Sequence, residues 1–462
     1  MKWSFCGVVA MTAAMVWGNA WDPVQLKGTT DKPNPVDYRI GEPIVLTISA
    51  EEVDPAFDCS AYYFEWKRTG DDGLTETGRS DFKPGVIAQV TTKMDIPGFI
   101  RVEGYVKEKA TGKPVKRDKP APGSPNWSPV KEVVFDGGAG VETERIEQEN
   151  PEPADFDEWW DKQKKILAAV EMKAERKLVK EVNGCKVYAL SVTCAGPRPV
   201  TGYLILPADA APKSCGARVA FQGYGFYPQG CPEWASWTCK NNREIFLEIN
   251  AHGYELGRDP AYYKEFEKTC HPEGYSYAFS PEENAKPETA YFRNMAFRVL
   301  RALEYVKSME EWNGKSLIVE GGSQGGLQTS WAAGLDHDVT LARPSITWGC
   351  DFAMVSGARR RLKGPWYIPY APGLDYFDSI NHIRRAKCPV EITRAGLGDY
   401  TCPPSGLAAY YHAIKAPKSI KWVQGSRHGF IPPAPNQVFT VKSDHEQTAA
   451  ESQSQSASAD VK

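Results

Sequence analysis

The sequence is short of several things at once. It lacks an excess of either charge: 55 Lys and Arg stand against 58 Asp and Glu, a net of −3. A chain so balanced has no basic face for nucleic acid and none for an acidic membrane surface. Beyond the N-terminus no stretch is long and apolar enough to span a bilayer, which takes about 20 such residues. There is no C-x-x-C, and none of the 7 histidines sits at the offsets of a zinc ligand set. No metal and no organic cofactor is therefore expected. Residues 21–140 also lack any helical stretch.

What is present divides the 462 residues into two or three domains. Met1 to Ala20 reads as a secretory signal, with Lys2 ahead of a mostly apolar Gly7–Val16 and Gly18-Asn19-Ala20 as cleavage site. Cleavage before Trp21 predicts a secreted or periplasmic protein with no membrane segment left. It also removes Cys6, leaving ten cysteines. Disulfides are permitted in an exported chain, for instance Cys231–Cys239 or Cys185–Cys194, and free buried thiols are the alternative.

Residues 21–140 hold three clear strand candidates, Pro43–Ser49, Ala61–Lys67 and Phe99–Lys107, separated by turn clusters such as Thr69-Gly70-Asp71-Asp72-Gly73. They predict a small all-β, immunoglobulin-like sandwich. Asp136 to Pro153 is rich in Gly, Glu and Pro and reads as linker, with the domain boundary at 140 and the linker proper at 141–154. From 155 to 440 strands alternate with helices. A helix starts near Asp155 or Asp157; strands follow at 185–192, 200–206, 217–221 and 245–250, and later at Ser345–Gly349 and Val390–Ala395. Met295, Val299, Leu303 and Val306 form one helical stripe. The pattern predicts an α/β domain built on a mostly parallel sheet with helices on both faces. The tail, 441–462, is polar with Ser-Gln repeats and reads as disordered.

The chemistry centres on Gly321-Gly322-Ser323-Gln324-Gly325-Gly326, set between the apolar run Ser316–Glu320 and the helical Leu327–Ala333. Gly-x-Ser-x-Gly between strand and helix is a nucleophile elbow rather than an ordinary Gly-Ser turn. A serine nucleophile needs a base in hydrogen-bond reach and a carboxylate to orient it, here expected in the order Ser, Asp, His. Of the late histidines, only His428 lies in a glycine-flanked loop after a strand. His382 and His412 fall in helix-like contexts, where a solvated or capping imidazole is usual. Asp399 directly follows a strand, at the edge where ligands gather in such sheets; Asp375 and Asp378 are its rivals, in an aromatic-rich loop that looks like a wall or lid. The oxyanion donors expected are the backbone N–H groups of Gln324 and of Tyr224, in the glycine-rich loop after 217–221.

Tyr291-Phe292-Arg293-Asn294, Arg301-Ala302-Leu303-Glu304, the elbow, and Gly398-Asp399-Tyr400-Thr401-Cys402-Pro403-Pro404-Ser405 together resemble the acetyl xylan esterase/cephalosporin-C deacetylase family, carbohydrate esterase family seven. Phe156-Asp157-Glu158-Trp159-Trp160 is similar as well, and the likeness runs from about Phe156 to Phe430. The resemblance implies an α/β-hydrolase fold that releases acetate from acetylated oligosaccharides or polysaccharides. Ser323, Asp399 and His428 stand at the triad positions, Tyr224 and Gln324 at the oxyanion donors. A homo-oligomer is left open. The chain departs from the family pattern at Ala251-His252-Gly253-Tyr254, where Arg-Gly-Gln-Gly is usual, and at Gly429, where Glu is usual. His252 reads as a structural histidine in the missing arginine's place, with a substrate contact as the alternative. A prolyl-oligopeptidase-type peptidase and an inert carbohydrate-binding homologue are the competing readings.

Overall fold

Strict alternation along Ile44-Val45-Leu46-Thr47-Ile48-Ser49-Ala50 puts every apolar side chain but Val45 on one face, and in the computed structural model that face is fully buried. The structure describes residues 24–443 except 52, 54–56, 118, 127, 360 and 433–436. The signal-like segment and the polar tail from 444 onward lie outside the described residues.

Seven strands come first: β1 Gln25–Thr30, β2 Ile44–Glu51, β3 Tyr62–Gly70, β4 Glu76–Asp81, β5 Gly85–Thr92, β6 Gly98–Glu108 and β7 Val134–Val141. They make two antiparallel sheets, in the orders β1-β2-β5 and β4-β3-β6-β7. Leu46 and Ile48 from one sheet share a core with Phe64, Val102, Val106 and Phe135 from the other.

Here the structure corrects the sequence reading. Asp136 to Gly140 is not linker but the buried heart of β7. Its glycines are there for close approach. A Cβ on Gly138 would lie 2.0 Å from the Ile100 carbonyl oxygen, and one on Gly137 2.2 Å from Gln424 Oε1. The residues after β7 are also tied down: Glu149 accepts from the Ala358 N–H at 2.6 Å, and its own N–H donates to Asp351 at 2.8 Å.

The rest of the chain builds one ten-stranded sheet. Its elements are α1 Phe156–Ala168, β8 Ala174–Val182, β9 Cys185–Val192, β10 Val200–Pro207, β11 Cys215–Phe221, α2 Ala235–Asn242, β12 Glu244–Ile249, α3 Pro260–Lys268, α4 Pro281–Asn284 and α5 Tyr291–Ser308. Then come β13 Trp312–Gly322, α6 Gln324–Leu335, β14 Leu341–Ser345, α7 Ser379–Ile383, β15 Val390–Gly396, α8 Pro404–Ala413, β16 Lys418–Val423 and β17 Val438–Lys442. The strand order is β17-β16-β15-β14-β13-β11-β12-β10-β9-β8. The six central strands run parallel, and antiparallel strands close both ends.

Both faces are covered. Leu204 of β10 joins the main core with α5, whereas its neighbour Ile205 joins a second cluster with Ala235 and Cys239 of α2. Met295, Val299, Leu303 and Val306 are all fully buried. Two expected bounds move. The strand placed at 345–349 runs instead from 341 to 345, because Ile346 takes φ +38° and breaks the extended chain. Val441 and Lys442, read as tail, complete β17 against the edge of β16.

All ten cysteines among the described residues are free thiols. Neither suggested disulfide forms. Cys185 and Cys239 fill an apolar cluster with Tyr203, Ile205 and Phe246, and Cys194 packs on the main core.

Candidate active site

Ser323 sits at the joint of β13 and α6 with φ 57° and ψ −119°, a conformation that L-residues seldom hold. The joint is pinned on both sides, by Ser323 N–H to the Ser345 carbonyl at 3.0 Å and by Trp348 N–H to the Ser323 carbonyl at 3.1 Å. Glycine is required around it. A Cβ on Gly321 would lie 2.6 Å from the Gly325 backbone, and one on Gly325 2.2 Å from the Phe221 oxygen.

The three residues far apart in sequence meet here. Ser323 Oγ lies 3.1 Å from His428 Nε2, and His428 Nδ1 lies 2.8 Å from Asp399 Oδ2. Asp399 is wholly buried; its other oxygen accepts the N–H groups of Thr401 at 3.0 Å and Cys402 at 3.1 Å. One carboxylate oxygen is thus anchored by backbone and the other is left to orient the imidazole. With its Nδ1–H donated to Asp399, the ring presents Nε2 as acceptor to the serine hydroxyl. Gly429 takes φ +73°, the left-handed region that favours glycine.

Tyr224 lies in the loop after β11, and Gln324 opens α6. Neither backbone N–H donates to an acceptor among the described residues. Their side chains are held by Tyr277, which the sequence reading missed. Its ring stacks on Tyr224 at 4.3 Å, and its hydroxyl donates to Gln324 Oε1 at 2.6 Å. Burial pushes the Tyr277 phenol well up, so it stays a donor. Tyr277→Phe strands a buried amide oxygen, and such a loss costs about 1–3 kcal/mol. Urea denaturation of the variant should show that drop; an unchanged midpoint would mean the hydroxyl contributes nothing.

The other candidates fall elsewhere. His382 is neither solvated nor a cap: its Nε2 donates to the Tyr376 carbonyl at 2.9 Å, between the rings of Phe156 and Trp160. Burial pushes it down to about 3, so it stays neutral. His412 is pushed down to about 4, by burial and then by Lys418. Asp378 accepts the N–H groups of Asp351, Phe352 and Ile380, and Asp375 accepts from Tyr370. Both brace the aromatic loop. His252 is buried, stacked on Phe226 at 3.9 Å and bonded through Nδ1 to the Tyr291 hydroxyl at 2.9 Å.

The β module reaches the site from behind, which no sequence signal announced. On the histidine loop, Gln424 bonds both polar groups of Gly138: its Oε1 accepts from the N–H at 2.9 Å, and its Nε2 donates to the carbonyl at 2.6 Å. Arg101 of β6 grips the buried Asp136 of β7 with two bonds, at 2.8 and 2.7 Å, and Arg427 Nε lies 3.6 Å from the same carboxylate. On the acid loop, Gly398 lies so close that a Cβ would sit 2.0 Å from the Asp136 carbonyl oxygen. Arg101 also covers the ring of Tyr400 at 4.6 Å. The loops that carry Asp399 and His428 therefore both rest on β7.

Among the described residues one group of potential metal ligands converges, Asp399, Cys402 and His428, with ligand atoms within 4.8 Å of one another. Asp399 and His428 already bond each other there, and burial pushes the Cys402 thiol well up, which keeps it protonated. The group is one with the arrangement above.

A serine on a strained strand–helix joint, with acid and base on loops after two later parallel strands, defines an α/β-hydrolase. The family model described as acetyl xylan esterase (AXE1) matches residues 141–360 and 371–445, and the chain belongs to that family. It is 27% identical over 290 residues to acetyl esterase Axe7A of Xylanibacter ruminicola, covering 60% of this chain and 64% of that relative. The chain thus spans a little under two thirds of that relative's length. Among solved structures, acetyl xylan esterase from Paenibacillus sp. R4 is 25% identical with a TM-score of 0.54, over 67% of this chain and 97% of that one. Acetyl xylan esterase 1 from Thermoanaerobacterium sp. shares the fold at 22% identity and a TM-score of 0.51, over 62% of this chain and 92% of its own.

Proposed function

We propose that this protein is a secreted serine carboxylesterase that removes acetyl groups from acetylated xylan or xylo-oligosaccharides. The observation that supports it is the hydrogen-bonded run from Ser323 through His428 to the buried Asp399. His428 takes the Ser323 proton as the oxygen attacks the acetyl carbonyl, and Asp399 stabilises the imidazolium. The tetrahedral oxyanion is held by the N–H groups of Gln324 and Tyr224. His428 then gives its proton to the departing sugar hydroxyl. Water attacks the acetyl-enzyme with His428 again as base, and acetate leaves.

Export agrees with the signal-like leader, and no helix among the described residues is long and apolar enough to cross a membrane. The N-terminal sheets make an immunoglobulin-like sandwich whose role in this reading is to brace the acid and base loops. A peptidase of the prolyl-oligopeptidase type commonly carries a propeller ahead of the hydrolase domain, where this chain has two sheets of three and four strands.

The test is acetate release from acetylated xylo-oligosaccharides, run beside aminoacyl-proline substrates. Acetate from the wild type alone, with organophosphate labelling Ser323, supports the esterase. Aminoacyl-proline cleavage without acetate release would overturn it, as would a Ser323 that organophosphate leaves unmodified.

A further inference from the structure

Arg298 stands in the middle of α5 with 1% of its surface exposed. Its Nε donates to the Ala251 carbonyl at 2.9 Å. Its two remaining nitrogens bond no described residue and keep some surface open, and no described carboxylate lies in ion-pair reach of them. Burial and the nearby Arg198 disfavour the charge, yet a guanidinium does not give up its proton in a protein. A guanidinium so nearly enclosed calls for a counter-charge at its open end, and charges held away from bulk water are paired where they occur.

This guanidinium lines a cavity of about 370 Å³, together with Arg198, Tyr291, Asn294, His271 and Glu283. Arg198 has no acid partner among the described residues either. Its nitrogens go to Cys270 Sγ and to the carbonyl and hydroxyl of Thr269, each at 2.8 Å. Two arginines therefore share one hollow with no carboxylate bridging them. Opposite in character, the Glu283 carboxylate lines the same hollow and accepts no hydrogen bond from a described residue; its Oε2 is sealed off, so Oε1 is the oxygen a ligand can reach. A ligand that satisfies both kinds of group carries an anionic fork and hydroxyl donors together. None of Ser323, Asp399 and His428 lines the hollow; a run of contacts from Tyr291 through His252 and Tyr277 links its wall to Gln324.

We infer that this cavity binds the carboxylate of an acidic sugar. The guanidinium groups of Arg298 and Arg198 hold the carboxylate, and Glu283 and Asn294 take the sugar hydroxyls. The sugar acid comes either free or as a uronic residue on a polysaccharide chain. The inference does not depend on the esterase reading, since it concerns binding alone.

The test is titration calorimetry on the full chain at fixed ionic strength with D-glucuronate, D-glucose, inorganic phosphate and a uronic-acid-bearing xylo-oligosaccharide. Saturable one-to-one binding of glucuronate is expected, at least tenfold weaker for Arg298→Met and for the more accessible Arg198→Gln. Glucose and phosphate should bind at least tenfold more weakly than glucuronate. Tighter binding of the oligosaccharide than of free glucuronate supports the polymer as source, and the reverse supports the free acid. No binding of glucuronate to the wild type, or equal binding to both variants, overturns the inference; so does glucose or phosphate matching glucuronate.

Discussion

Replacing Ser323 by alanine should lower turnover of an acetylated xylo-oligosaccharide by about 10⁶-fold while the protein stays folded. In the proposed mechanism the hydroxyl is the atom that becomes acylated, so nothing else in the site can take over its step. Alanine accepts the φ of 57° no worse than serine does, because both have one Cβ and the strain belongs to the backbone. The circular dichroism spectrum and substrate affinity should therefore hold while turnover collapses. Asp399→Asn should be milder, about 10⁴-fold, since the asparagine preserves shape but favours the wrong imidazole tautomer. Turnover by Ser323→Ala within tenfold of the wild type would remove Ser323 from the mechanism.

The second large effect is on stability and lies outside the catalytic residues. Arg101→Ala leaves Asp136 fully buried with its closest cation, Arg427, 3.6 Å away. Breaking a buried pair by removing one partner costs about 3–5 kcal/mol. The sign of its pH dependence follows from Asp136. Burial pushes this carboxyl up to about 6 in the folded protein, against the opposing pull of Arg101. A carboxyl raised on folding favours the folded state below its unfolded value and loses that contribution as pH rises through the folded one. Without Arg101 the folded value climbs further. The penalty of the substitution should thus be greatest above about pH 6 and shrink on acidification, as Asp136 takes up a proton. Urea melts of wild type and variant at a mildly acidic and a mildly alkaline pH measure it; an equal penalty at both would discard the account.

These two sites differ in how they could be read from the amino-acid order. The nucleophile joint is a local event: a β-branched run, Gly-x-Ser-x-Gly and a helix occupy about 20 consecutive residues, and short-range sterics demand that composition. Asp399 and His428 were legible because each follows a strand-like run, where the chain of an open sheet turns out toward ligand. Asp136 was not. Gly137, Gly138 and Gly140 are indistinguishable in sequence from a loose connector, yet the first two admit Gln424 and Ile100 at distances no Cβ allows. His382 was misjudged for a related reason. Its helix-like context suggested solvent or a cap, whereas Phe156, Trp160 and Trp331 close over it from other segments. Long-range packing decides such positions, and one chain carries no local trace of it.

Gln437, just ahead of β17, clasps the other end of the protein: it accepts from Thr30 N–H at 3.1 Å and donates to the Lys32 and Pro33 carbonyls at 2.9 and 3.0 Å. During synthesis Thr30 emerges 407 residues before Gln437, and the early sheets are complete at Val141, well before that clasp exists. They must hold their own core on the ribosome while the surface that will meet the histidine loop waits uncovered. Docking of the first-made part is thereby among the last events of assembly, and the loop bearing His428 gains its two Gln424–Gly138 bonds only when it happens.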